Sequence, residues 1–469
     1  METVLKTVNA LFSGLFLPAV LFVSGLYFLF RIGRYVFSPR FIVHSLLDTE
    51  KRGKNNTRSP FSSLCLALAG TLGVGNISGV AAAITVGGPG AVFWIWVSAV
   101  VSAVLKFAET VLALHFRERD SGGNFYGGAH LYIKKGLNAP TVAIFFCIAC
   151  IFTSFTMGSI TQTKAAADGV FTALNISPAV CGIVFFIIVL YLSFGGSEKI
   201  SGFTLKLIPP LCLAYVILSL TVIFIFRDNV CTVTAVIFSE AFTPRAGVSG
   251  VLGFLMSPAM RYGVTRGIMS NEAGCGTAPF AHARAETDSP IRQGVYGIIE
   301  VLCDTLLLCT LTAYVVLLSG SVMSGGATEI AINSFASALG EPVKVFLGIS
   351  IFLFALGSVT GWSFYGQEAV KALGFGKGSL KIYGVLFSLS AALGCVMSEN
   401  TVWELADLSI SVMAIINITA VLMLSGTVIR LTVEHCGRKT GAKKKMKNVQ
   451  IHGEAKNVHM RREEKNRDY

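Results

Sequence analysis

The chain has 469 residues, 53% of them hydrophobic and only 14% charged, where soluble domains carry about 25% charged residues. A mean hydropathy of +0.68 excludes a soluble globular fold and leaves a chain that crosses the membrane many times. The net charge of +12 is not a nucleic-acid surface, because the basic residues gather on one side of the predicted spans.

The apolar runs are about 18 to 28 residues long, which suits helices rather than the short alternating strands of a membrane barrel. Eleven transmembrane helices are predicted, over about 10–30, 63–87, 90–116, 141–167, 179–195, 206–226, 247–271, 294–319, 343–366, 382–398 and 404–429. The first is a retained span: it lacks an early basic cluster and an A-x-A site, and Arg31 and Arg34 follow it. The second contains "GTLGVGNISG", Gly70 to Gly79, with four glycines, Asn76 and two hydroxyls. In the third, Lys106 and Glu109 are three apart and are expected to pair on one helix. The fourth carries Gln162 and Lys164.

The seventh span ends in a second interrupted stretch, "GVTRGIMSNEAGCGTAP". Its Arg261 and Arg266 are read as lying toward the cytoplasmic end and snorkelling. In the eighth, Glu300 and Asp304 share one face; Asp304 is read as a satisfied buried carboxyl that could gate a pathway. The tail after residue 430 is basic and expected to be disordered, with "GAKKKMK" able to touch anionic headgroups.

Loops and tail on one side of these spans hold thirty Lys and Arg, against Lys6, Arg227, Arg245 and Lys344 on the other. The positive-inside rule then places the N-terminus outside and the C-terminus in the cytoplasm. The predicted organisation is an accessory helix with a basic loop over 1–61, two five-helix repeats over 62–226 and 227–430, and a tail over 431–469.

Glycine in a helix interior costs roughly 1 kcal/mol relative to alanine, so two glycine-rich interruptions demand a reason. Close helix packing explains Gly75-x-x-x-Gly79 but not Asn76, nor Asn271 beside Glu272. With the first span set aside, the interruptions open the first and sixth of ten core helices. Matched breaks in two halves point to the binding site of a secondary transporter. An unwound turn frees N–H groups that can hold a carboxylate and carbonyls that can ligate a small cation. "GVGNIS" is no nucleotide loop, since no strand precedes it, and no Walker-type loop or catalytic constellation marks an ATP-driven pump or an enzyme.

The stretches "AGTLGVGNISGVAAAITVGGPGAVFWIWVSAVVSAVLKFAE" and "AMRYGVTRGIMSNEAGCGTAPFAHA", with "RQGVYGIIEVLCDT" and "GWSFYG", resemble the alanine or glycine:cation symporter family. The resemblance implies an all-α, leucine-transporter-like inverted five-plus-five repeat with an extra N-terminal helix. It also implies sodium-coupled symport of small neutral amino acids across a bacterial or archaeal plasma membrane. On this resemblance the substrate contacts are Gly73, Gly75, Asn76, Gln162, Asn271, Glu272, Gly274, Gly276 and Trp362. Sodium is expected at Thr71, the carbonyls of Leu72 and Gly75, and Ser358. No cofactor, nucleic acid or obligate protein partner is implied beyond the amino acid, sodium and the bilayer.

The chain departs from the family pattern at "GSITQTK", where Ser159 and Lys164 replace asparagines, and at "GGAHLYI", where the family commonly reads "GGPMYYI". It departs again at Gly357-Ser358, where a serine–threonine pair is usual, and at Thr360, which replaces an aliphatic residue. These changes leave open a proton-coupled or ion-altered transporter, with Lys164 standing in for an ion, and a transporter-like sensor or channel.

Overall fold

The computed structural model describes residues 9, 11–47, 59–243, 257–320 and 325–436. Most of the predicted 48–61 loop, residues 247–256 of the seventh span and the basic tail beyond 436 lie outside them.

Helices begin where the chain forces them to. Ser59 precedes Pro60, Ser257 precedes Pro258 and Ser289 precedes Pro290. Each serine hydroxyl accepts an N–H of the first turn, from Ser62, Met260 and Arg292 at 3.0, 3.3 and 3.2 Å. Proline at the first helical position gives up an N–H that would have no partner, and the cap satisfies another.

Among the described residues, eight helices are long and apolar enough to cross a membrane. They are α1 (Phe12–Val36), α5 (Ala91–His115), α6 (Pro140–Leu174), α8 (Gly202–Ile225), α12 (Pro290–Leu318), α14 (Pro342–Ala372), α15 (Gly378–Val396) and α16 (Glu399–Met423). Between them lie α2 (Pro39–Leu47), α3 (Pro60–Thr71), α4 (Ser78–Gly87), α7 (Pro178–Phe194), α9 (Val230–Glu240), α10 (Pro258–Asn271), α11 (Ala278–His282) and α13 (Ala327–Leu339). The segments 60–71 and 74–87 pass the same test together as one span bent by 61°. α7 is apolar but shorter.

The packing is that of an inverted repeat. α3 lies on α11 and α4 on α10, so the two broken segments run antiparallel. α5 packs on α12, α6 on α14 and α7 on α15, so three further helices of the first half meet their counterparts in the second. α1 stays outside this arrangement, against α5 and α16. Its Gly25 allows the approach to α5, since a Cβ there would stand 1.9 Å from Val101 Cγ1. Large apolar side chains on α7, α8 and α15, such as Ile187, Leu213 and Leu393, face outward, where lipid replaces a protein neighbour.

The seventh span differs from expectation at its C-terminal end. It does not stop at 271: the chain breaks over 272–277 and resumes as α11. The polar run "SNEAGCGT", expected as an interruption at the end of the span, lies within it. Arg261 and Arg266 therefore lie in the half of the span that precedes the break, not at its C-terminal end. They border a cavity of about 330 Å³ shared with Asn9, Glu399 and Glu404, at the opposite end of α10. Arg266 pairs with Asp407 of α16 at 3.0 Å and lies over the Trp403 ring, 4.2 Å from its centroid.

Candidate functional site

At the first break the helical pattern of α3 ends one residue at a time. Leu72 N–H still reaches Leu68 O at 2.6 Å, but Gly73 N–H turns to Thr71 O at 2.8 Å. Val74 N–H leaves the helix and donates to Gln162 Oε1 of α6 at 3.0 Å. The carbonyls of Ala69 and Gly70 thus lose the donors that a continuous helix would supply. Thr71 Oγ1 is held only loosely, 3.4 Å from both Ala67 O and Leu68 O.

Two polar atoms from the third and eighth core helices converge on Gly73. A Cβ there would stand 2.3 Å from both Gln162 Oε1 and Ser358 Oγ of α14. Ser358 is fully buried, and its hydroxyl has no hydrogen-bond partner among the described residues. One turn on, Gly361 lets α14 touch the first break, 2.9 Å from Gly70 N by the same measure. Thr360 turns away and donates to Gly357 O.

Asn76 is anchored by Asp304 of α12, donating to Oδ1 at 2.6 Å and to the backbone carbonyl at 3.1 Å. Among the described residues no donor reaches Asn76 Oδ1. Asp304 Oδ2 also accepts from Ser270 Oγ at 2.5 Å and Thr305 Oγ1 at 2.8 Å. Asp304 thereby ties the first break to the last turn of α10. The two broken segments touch at Gly75, whose nearest outside atoms are Ser270 Cα and Met269 O. The hollow beside Leu72, Gly73 and Asn76 is about 10 Å³, room for one water rather than an amino acid.

The second break is built on left-handed residues: Glu272 (φ 52°), Gly274 (φ 84°) and Gly276 (φ 78°). A glutamate in that region is uncommon and is held there by its partners. Its Oε1 accepts from Trp362 Nε1 at 2.8 Å and Oε2 from Thr277 Oγ1 at 2.7 Å. Trp362 is fully buried and lies flat on Gly158, where a Cβ would come within 2.4 Å of the indole. Asn271 closes its own turn, accepting from Ala273 N at 2.9 Å and donating to Thr305 at 3.2 Å.

Glu109 does not pair with Lys106. It faces the second break, where Oε1 accepts from Gly276 N–H at 3.1 Å and from Asn417 Nδ2 of α16. Asn417 Nδ2 also donates to Gly274 O at 2.8 Å. Lys106 turns the other way, to Glu300 Oε1 at 3.2 Å, and Glu300 Oε2 meets His282 Nε2 at 2.9 Å. Spacing of three along a helix makes neighbours, but α5 is buried on almost every side, so each face meets a different partner. Asn417, an amide in the last apolar span, lies in no glycine-rich stretch and carries no local sign of its role.

Lys164 is not at the breaks. Its ammonium holds Asp168, four residues along α6, at 2.7 Å. Ser159 is buried and accepts from Ser390 Oγ of α15 at 2.9 Å, so this departure packs two helices.

A model of the sodium:alanine symporter family matches residues 1–450. The chain belongs to the sodium:alanine symporter family. Among its relatives, "Sodium/alanine symporter AgcS" of Methanococcus maripaludis is 33% identical over 445 residues, covering 92% of this chain and 96% of that one. "Probable sodium/glutamine symporter GlnT" of Bacillus subtilis is 31% identical over 446 residues, covering 94% and 92%. A mutant manganese transporter of Eremococcus coleocola shares the fold, with a TM-score of 0.54 at 14% identity, covering 80% of this chain and 82% of that one. For a sodium:alanine symporter family member the leucine-transporter-like architecture is as expected, and the protein is a membrane transporter rather than an enzyme. If the buried Ser358 hydroxyl serves a cation, Ser358→Ala should leave folding intact. It should raise the half-saturating sodium concentration for uptake by roughly tenfold, about 1.4 kcal/mol, through the loss of one oxygen ligand to the ion. Uptake at graded sodium checks this.

Proposed function

We propose that this protein carries small neutral amino acids (alanine, glycine or serine) into the cell with sodium, by alternating access. The observation that carries the reading is the convergence of Ser358 Oγ and Gln162 Oε1 on Gly73 at an unwound turn that touches a second unwound segment. The charge asymmetry supports an outside N-terminus and a cytoplasmic C-terminus in a bacterial or archaeal plasma membrane.

Gln162 Oε1 now occupies the Val74 amide, the kind of donor a carboxylate seeks. An incoming amino-acid carboxylate displaces it and settles on the amides of Gly73 to Asn76, at the positive end of α4. The released Gln162 carbonyl, with carbonyls of the second break near Gly274 and Gly276, then faces the ammonium. Trp362, fixed by Glu272, limits the side-chain volume. Sodium takes Ser358 Oγ, Thr71 Oγ1 and freed carbonyls of the first break, among which Ala69 and Gly70 join the expected Leu72 and Gly75. Ordering the same turn from both sides makes each ligand favour the other, typically by 1–3 kcal/mol. The 10 Å³ hollow must widen for this, which is the conformational step.

Uptake of labelled alanine into proteoliposomes tests the reading. Accumulation above equilibrium under an inward sodium gradient is expected. Downhill leak alone would indicate a channel, and binding without flux a sensor. Because Lys164 is held by Asp168 on its own helix, Lys164→Asn is expected to leave the sodium dependence of that uptake unchanged. A changed dependence would favour the alternative in which its charge replaces an ion.

A further inference from the structure

Away from the breaks, a cavity of about 620 Å³ opens between the loop that joins α5 to α6, Arg284 just past α11, and the last turn of α14. That volume is the size of a small-molecule site. Five basic and three acidic side chains line it, and the acids are already engaged. Glu118 takes Lys135 and the Tyr126 hydroxyl, which hold its carboxyl below the usual range. Asp120 Oδ1 accepts the amides of Gly122 and Asn124, each at 2.9 Å. Glu368 is bound by Lys371 at 2.6 Å.

Arg119 and Lys134 form no ion pair among the described residues. The guanidiniums of Arg117 and Arg119 both lie on the Phe125 ring, 3.6 and 4.1 Å from its centroid; Arg117 is held by the carbonyls of Ala283, Ala285 and Thr287, and Arg119 donates to Gly123 O. His130, on the wall, is buried to 8% exposure and stacks on Phe280 of α11 at 5.4 Å, yet its Nδ1 has no partner. Burial pushes its imidazole down to about 4, so the ring is neutral and can serve an anion as a hydrogen-bond donor.

We infer that this cavity is a binding site for a phosphate-bearing anion, held by Arg119 and Lys134, and supplied either as a soluble phosphate compound or as an anionic lipid headgroup. Its placement on the cytoplasmic side rests on the orientation proposed above; the binding itself does not.

The test uses the full chain in phosphatidylcholine nanodiscs, with thermal unfolding as the readout, so that it is independent of transport. Inorganic pyrophosphate is expected to raise the midpoint saturably, beyond chloride of equal ionic strength. The double variant Arg119→Gln, Lys134→Gln alters exposed side chains, and is expected to need at least tenfold more pyrophosphate for the same shift. If pyrophosphate has no effect but exchange into phosphatidylglycerol raises the midpoint in the parent and not in the variant, the headgroup is the source. No stabilisation by either anion, or equal stabilisation of parent and variant, overturns the proposal.

Discussion

Gly73→Ala is expected to abolish amino-acid uptake in a protein that still folds. The new methyl would stand 2.3 Å from Gln162 Oε1 and Ser358 Oγ, far inside contact distance. Neither neighbour is backbone. A hydroxyl and a side-chain amide can swing aside, so the stability loss should stay near the low end of the ~1–3 kcal/mol of ordinary overpacking. The groups that must move are the two the site needs, and the unwound turn loses the Val74–Gln162 bond that shapes it. Transport should therefore fall by at least about tenfold, while the thermal midpoint drops by only a few degrees. The measurement is alanine uptake beside thermal unfolding of the same preparation. Near-normal uptake by a folded variant would remove Gly73 from the site.

Lys106→Met is expected to do the opposite and damage folding first. Lys106, Glu300 and His282 are all fully buried, and the ammonium is the only lysine or arginine charge bonded to Glu300 among the described residues. Removing one member of a buried pair leaves the other uncompensated and typically costs 3–5 kcal/mol, a large share of a protein's total stability. Lys106→Met with Glu300→Gln removes both charges and should recover much of that loss. The yield of monodisperse protein and its thermal midpoint, compared across the single and double variants, measure the coupling. Equal loss in both would mean that Lys106 acts through packing alone.

Most of the spans and both interruptions are legible in the sequence because each rests on local chemistry, although the described residues hold eight such spans, or nine with the bent pair, where eleven are predicted. Runs of apolar residues need no partner to be recognised, and Gly73, Gly75, Gly274 and Gly276 mark turns a helix cannot hold. Trp362 and Ser358 came from family resemblance, and the structure brings both to the breaks. What stayed hidden depends on distant partners. Lys106 has a carboxylate three residues away, but its partner is 194 residues on. Glu109 and Asn417, 308 residues apart, clamp one turn that neither adjoins in the chain. The seventh span runs on past 271 because the polar break lies within it rather than at its end, which only the resumption of helix at Ala278 shows. Lys164, the most conspicuous departure, is satisfied by Asp168 one turn away, a plain i to i+4 pair.

On the proposed mechanism the two facing breaks form one site, in which amino acid and cation order the same turn. Equilibrium binding of labelled alanine to the purified protein at graded sodium tests it most directly, without requiring transport. The account predicts that sodium tightens alanine binding by about 5- to 150-fold, that alanine tightens sodium binding by the same factor, and that Ser358→Ala diminishes both together. Alanine affinity that is indifferent to sodium, or that keeps its full sodium response in Ser358→Ala, would contradict it.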